Sequence, residues 1–94
     1  MKIEICGIPF KIKEVEVIDE PIEGVTQGKI LFSKAKILIK KKLPKKLKRQ
    51  VLFHEVLHGI LVQLGYNELN EDETFVQSLS VVMSQMFEMR GAEE

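Results

Sequence analysis

The sequence predicts an α+β domain, in which a small and mostly antiparallel sheet of three or four strands, over about residues 2–40, precedes two helices. Two observations support this prediction. In the first part of the chain, apolar residues alternate with polar ones, which is the period of a strand with one buried face. After Pro44 they recur every three or four residues, which is the period of an amphipathic helix. The 94 residues leave room for one core, so we expect a single domain, 1–94.

Three stretches carry the strand prediction. Residues 2–6, KIEIC, alternate regularly, and residues 10–17, FKIKEVEV, alternate with one change of phase. That change predicts a bulge near Lys13–Glu14, or two short strands, so that the apolar side chains share one face. Residues 19–28 contain proline and glycine and predict a long turn. Residues 29–40 predict a hairpin, because two alternating runs follow each other closely there.

Two helices are expected in the second half of the chain. The first covers about residues 44–64, because proline is acceptable at a first helical position and Gly65 is a suitable C-cap. A short acidic connector leads to the second helix, over about residues 71–89. The methionines of this second helix are spaced like one helix face, which indicates core packing or a self-association surface.

The composition is typical of a soluble globular protein, with 45% hydrophobic and 30% charged residues. The formal net charge is zero, so we expect no overall attraction to nucleic acid or to a membrane. Cys6 is the single cysteine, which excludes an intramolecular disulfide and fits a reducing compartment. We expect no secretory signal at the N-terminus, and no stretch approaches the roughly 18–20 apolar residues of a membrane span. The expected location is the cytoplasm.

Both histidines of the chain lie in the stretch VLFHEVLHGI, residues 51–60. His54 and His58 are four positions apart on a predicted helix, so their imidazoles leave the same side. This spacing lets both rings bind one zinc ion at about 2.0–2.1 Å. Glu55 is rotated by about 100° from His54 and is placed to reach a water molecule held at the metal. In an HExxH site this glutamate is the general base.

The competing interpretation is that two core histidines match this pattern by coincidence. The flanking segments VLF and GIL would surround the rings with apolar side chains. Uncharged histidines buried among apolar side chains without hydrogen-bond partners would lower the stability of the fold. We therefore favour a zinc site over coincidental core histidines.

The third zinc ligand is expected to be acidic. A catalytic zinc usually has three protein ligands, and the third histidine of the metzincin pattern would fall on Leu64. We favour Glu73, one turn inside the second helix, with Glu71 and Asp72 as the alternatives. Residues Asn70 to Glu73 also resemble a capping box, in which Glu73 would only satisfy a backbone N–H group. Glu71 or Asp72 could instead orient the imidazoles through hydrogen bonds.

The stretch VLFHEVLHGILVQLGY, followed by DETFVQSLS, resembles the small gluzincin-type metallopeptidases. It is similar to the minigluzincins and to short HExxH proteins of phage and of the ImmA/IrrE kind. The resemblance covers about residues 50–80, and the first 40 residues match only as a strand-rich segment. It implies a zincin-like fold, a peptide or protein substrate, Glu55 as base and proton shuttle, and a zinc ion with three ligands: His54, His58 and Glu73.

The same resemblance implies low activity. Minigluzincins are typically latent, with a terminal segment that blocks the cleft, and either terminus of this chain is a candidate for that role. Larger gluzincins have an additional histidine or tyrosine that stabilises the oxyanion. This chain has no third histidine, and Tyr66, its only tyrosine, follows the end of the first helix. We therefore expect weak or absent turnover.

A second hypothesis comes from the stretch KKKLPKKLKR, residues 40–49, which carries seven basic residues. It could make the protein a non-catalytic regulatory or interaction module that binds nucleic acid or an acidic partner. The alternative is a solvated loop and a lysine-rich helix face without a partner. We favour the solvated face, although positive charge before a helix N-terminus is slightly unfavourable.

Overall fold

The structure, a computed structural model, describes residues 1–18 and 27–93, with residues 88–93 as backbone only. Most of the predicted turn over residues 19–28 lies outside the described residues. Four strands and three helices follow in chain order: β1 (Lys2–Ile5), β2 (Ile8–Val15), β3 (Gly28–Leu31), β4 (Lys36–Lys40), α1 (Lys45–Leu64), α2 (Asn67–Glu71) and α3 (Glu73–Glu93). The α+β class is confirmed. None of the helices in the described part of the chain is long and apolar enough to cross a membrane.

The four strands form one mixed sheet in the order β1-β2-β4-β3. The β1–β2 and β3–β4 pairs are antiparallel, whereas the central β2–β4 pair is parallel. The prediction of a mostly antiparallel sheet therefore missed the central pairing. Alternation within a stretch shows which side chains share a face, but it contains no information on which distant strand is the neighbour.

The predicted bulge in β2 is wrong. The pairing of β2 with β4 runs without interruption from Lys11 opposite Lys36 to Val15 opposite Lys40. Because side chains alternate along an unbroken strand, Val15 points to the face opposite Phe10. The exposed Val17, which lies beyond the strand, keeps 72% of its surface accessible. The strand tolerates this break in its apolar pattern because only one of its faces is covered by helices.

The predicted hairpin over residues 29–40 is confirmed. Strands β3 and β4 are antiparallel, with Ile30 opposite Ile37. The chain reverses through one 3-10 turn, Phe32–Lys34, and Ala35 follows in the left-handed region with a φ of 50°. This hairpin places β3 at one edge of the sheet.

Helix α1 lies between the sheet and α3. One face of α1 packs on the sheet in a core that includes Ile5, Phe10, Ile37, Ile39, Val51 and Val56. Another face packs on α3 through Leu57, Leu61 and Val76. The helix approaches the sheet closely at Gly59, where an added Cβ would lie 2.9 Å from Cδ1 of Ile5. Burial on two sides holds α1 firmly, which makes it a rigid support for a site.

The ends of the helices explain how the chain turns back on itself. Gly65 ends α1 with a φ of 83°, and its N–H group bonds to the carbonyl groups of Leu61 and Val62, as predicted for a C-cap. The acidic connector forms the short helix α2, which the sequence analysis did not predict. Helix α3 begins at Glu73 rather than at residue 71, because the side chain of Asp72 accepts a hydrogen bond from the N–H group of Phe75 at 3.0 Å and caps the helix.

Candidate metal centre

His54 and His58 lie on the side of α1 that faces the start of α3. Their ring centroids are 4.9 Å apart, and their Nε2 atoms face each other at 3.2 Å. The side chains are 19% and 15% exposed, so both rings are largely covered while one side stays open to solvent. The spacing of four residues on a helix therefore has the consequence expected from the sequence: two imidazole nitrogens point at one place.

Glu73 brings a carboxylate to the same place from the first turn of α3. Its Oε2 atom is 3.0 Å from Nε2 of His54, and its Oε1 atom is 3.2 Å from Nε2 of His58. The Glu73 side chain is 66% exposed, so the group is accessible from its side. The three residues lie close enough together to hold a metal ion, with their ligand atoms within 4.8 Å of one another.

The two alternative acidic residues have other positions. Asp72 caps α3, so the capping role considered for Glu73 falls to its neighbour. Glu71 is an exposed residue at the end of α2. Within residues 1–18 and 27–87, the group of potential metal-binding side chains contains Glu73 and neither of the other two.

Two amide side chains orient the imidazole rings, and the sequence analysis assigned neither of them this role. Nδ1 of His54 lies 2.8 Å from Oε1 of Gln77, and Nδ1 of His58 lies 2.7 Å from Oδ1 of Asn70. The sequence offers Glu71 or Asp72 for this function, and neither is the hydrogen-bond partner of a ring here. The one available signal was spacing, because Gln77 follows Glu73 by one helical turn and therefore shares its face of α3.

These hydrogen bonds fix the orientation of each ring. An amide oxygen only accepts hydrogen bonds, so each Nδ1 donates its N–H group to an amide oxygen and each Nε2 faces Glu73. The two Nε2 atoms and the carboxylate face one another at 3.0–3.2 Å. Groups of this kind at such distances need positive charge between them, which a proton or a metal cation supplies.

The donor set and its spacing fit a zinc ion. Two histidines and one glutamate are a known ligand set of catalytic zinc. Ligands at about 2.0–2.1 Å in a tetrahedron lie about 3.3–3.4 Å from each other. The three measured separations, 3.0, 3.2 and 3.2 Å, are close to that value. Only small side-chain shifts would separate the present arrangement from a metal-binding one.

Glu55 lies apart from these three residues, on the side of α1 that faces strand β3. It is buried, with 9% of its surface exposed. A Cβ added to Gly28 of β3 would lie 3.3 Å from Cγ of Glu55 and 3.4 Å from its Oε2 atom. The absence of a side chain at Gly28 therefore leaves space for the carboxylate beside the edge strand. In the sequence Gly28 is the last residue of the predicted turn, and no local pattern indicates that it lies beside Glu55.

Tyr66, the candidate for stabilising the oxyanion, lies at the surface beyond the end of α1. Tyr66 is 55% exposed and lines a shallow groove with residues of α2.

In the basic stretch 40–49, Lys48 bonds to Glu14 at 2.7 Å, and Lys41 lies 4.0 Å from Glu16. Acidic side chains next to β2 thus neutralise part of the positive charge.

Comparisons with protein-family models, with curated proteins and with solved structures found no match. The resemblance of residues 50–80 to gluzincins therefore stays a prediction. A metal-binding function is supported instead by the grouping of His54, His58 and Glu73. The amide groups that orient the two rings support it as well.

Proposed function

We propose that this protein is a minimal zinc-dependent metallopeptidase with a zincin-like active site. The observation that carries the proposal is the convergence of two imidazole Nε2 atoms and one carboxylate on a single place. The orientation of both rings by Gln77 and Asn70 supports it, because histidines that bind metals usually donate their other N–H group in this way.

Each residue of the proposed site has its own role in peptide hydrolysis. A bound zinc ion would polarise the peptide carbonyl group and lower the pKa of a water molecule. His54, His58 and Glu73 would hold the ion and leave it one net positive charge. Glu55 would accept the proton of the attacking water and pass it to the leaving amine. Its burial between α1 and β3 restricts the carboxylate to few rotamers.

Strand β3 is the proposed docking site for the substrate. It lies at the end of the sheet, with β4 on one side and no described strand on the other. An extended peptide can add to such an edge through main-chain hydrogen bonds. A peptide on this edge would pass Gly28, beside which the side chain of Glu55 lies. We place this activity in the cytoplasm, where the single Cys6 would stay reduced.

A comparison of Glu55→Gln with the parent protein tests the proposal. Both proteins would be loaded with zinc, analysed for metal content and incubated with a library of unstructured peptides. We expect about one zinc ion per chain in both and a loss of cleavage by about 10²–10⁴-fold in the variant. Equal cleavage rates in the two proteins, both above the background without enzyme, would exclude Glu55 as the base. A parent protein that takes up no zinc would exclude the metal centre, whether or not a terminal segment keeps the enzyme latent.

The alternative function, binding of nucleic acid or an acidic partner through residues 40–49, has a separate test. Lys42 and Lys45 are exposed in this stretch, and Lys2 and Lys34 are exposed elsewhere. Under the alternative, reversing the first pair to glutamate would abolish binding to a DNA duplex at about 50 mM salt, whereas reversing the second pair would not. No binding by the parent protein at low salt would eliminate the alternative.

A further inference from the structure

Helix α3 carries an apolar stripe on the face that points away from α1. Its inner face is formed by Val76, Ser80 and Ser84, which are 0%, 0% and 3% exposed. On the outer face, Val82 is 50% exposed and Met86 is 61% exposed. The helix therefore has a buried face and a second face with exposed apolar side chains, which the described part of the chain does not cover.

The composition of this helix is unusual for a solvent-facing element. Residues 74–87, TFVQSLSVVMSQMF, contain no charged residue, although 30% of the chain is charged. The centres of protein interfaces are depleted in charged residues, and contiguous exposed apolar patches often mark binding surfaces.

The spacing of the stripe identifies the kind of partner it fits. Phe75, Leu79, Val82 and Met86 follow one another at intervals of four, three and four residues. This is the heptad spacing with which two helices pack side by side. Phe75, at the edge of this stripe, is partly buried and also packs against the apolar cluster between α1 and α3. On α1, by contrast, the exposed apolar residues Val62 and Leu64 lie two positions apart and do not form such a seam. Among the described helices, α3 is thus the one whose exposed apolar seam could pack against the same seam of a second copy.

In a two-fold symmetric pair the same surface of both copies meets, so that surface must be complementary to itself. The stripe on α3 meets this condition because it contains both a groove and a projecting side chain. Near the start of α3, Phe75, Ser78 and Leu79 line a groove of about 470 Å³. Near residue 86, the flexible side chain of Met86 projects into solvent. Val82 lies midway between residues 78 and 86. A two-fold axis at Val82 would therefore place Met86 of each copy opposite the groove of the other.

We propose that α3 pairs with α3 of a second copy of this chain, in antiparallel orientation, with Val82 on the two-fold axis. A parallel pair would bring the acidic side chains of Asp72 and Glu73 from the two copies together, whereas the antiparallel pair separates them. The seam from Phe75 to Met86 is about 16 Å long at 1.5 Å per residue. An interface of this size is small, so we expect a dissociation constant on the order of 10 µM.

Sedimentation equilibrium of the full chain, from about 1 to 300 µM, tests the pairing. The average mass of the parent protein should approach twice that of the monomer at the highest concentrations. Val82→Glu and Val82→Lys should each weaken association by at least about tenfold, because like charges would meet on the axis. A mixture of these two variants should associate again, because glutamate would then face lysine.

Leu64→Glu, on α1, is the matched control, because Leu64 is 58% exposed and lies off the stripe. It should associate as the parent protein does. Circular dichroism would verify that all variants keep their helices. A parent protein that stays monomeric over this range would overturn the proposal, as would a Val82→Glu variant that associates normally or a mixture that does not recover. None of these results depends on the proposed peptidase activity.

Discussion

Oε2 of Glu73 lies 3.0 Å from Nε2 of His54, and this contact joins the first turn of α3 to the middle of α1. The polar contact between the two helices also includes the bonds of Glu73 to His58 and of Gln77 to His54. Beside it lies an apolar contact through Leu57, Leu61 and Val76, with Phe53 and Phe87 stacked at 5.2 Å. A metal ion in the polar part would join the two helices directly. Metal binding and folding should therefore be coupled.

Zinc should stabilise the folded protein. An ion that binds the native state and not the unfolded chain adds about 4 kcal/mol at about 1,000 times its dissociation constant. Thermal unfolding should occur at a higher temperature with zinc than with a chelator. His58→Ala removes one ligand and should show no such difference between the two conditions. An equal zinc effect in His58→Ala would mean that the ion acts at another site.

Glu73→Gln should weaken zinc binding by at least about tenfold, because an amide oxygen is a poorer ligand than a carboxylate. Glu71→Gln is the control, since Glu71 is also exposed and close in sequence but outside the group of ligands. Competition with a chromophoric chelator would measure both affinities. If Glu71→Gln had the larger effect, the assignment of the third ligand would be wrong.

The hydrogen bonds to the rings should affect affinity to different degrees. Asn70→Ala should weaken zinc binding by about 10–100-fold, because it removes the partner of the part-buried bond to His58. Gln77→Ala should have a smaller effect, because its bond to His54 is exposed and water can replace it. Gln85→Ala, two turns further along α3, is the control and should bind zinc as the parent protein does.

Gly28→Ala should destabilise the fold by about 1–3 kcal/mol. The new Cβ would overlap Cγ1 of Val51 and lie 3.3 Å from Cγ of Glu55, so the Val51 side chain, the helix or the strand must shift. Urea unfolding of the two single variants and the double variant would test this contact. Because Val51→Ala removes the clashing methyl group, the double variant should lose less stability than the sum of the single losses. Strict additivity would show that the clash is relieved in another way.

Much of the fold and of the site follows from local patterns in the sequence. The period of apolar residues identified the strands and the two long helices, and Gly65 marked the end of α1, because capping and periodicity depend only on neighbours along the chain. The same holds for His54 and His58, whose spacing alone brings their rings together on a helix.

Contacts between distant segments were decided by the tertiary structure. The parallel pairing of β2 with β4, the approach of Gly28 to Glu55 and the use of Asn70 and Gln77 to orient the rings each join residues far apart in the chain. No local period encodes such contacts, because they depend on how whole elements pack against one another. The role of Glu73 as the third zinc ligand stays a prediction from the sequence. The structure brings its carboxylate to both rings, because the cap at Asp72 determines where α3 begins.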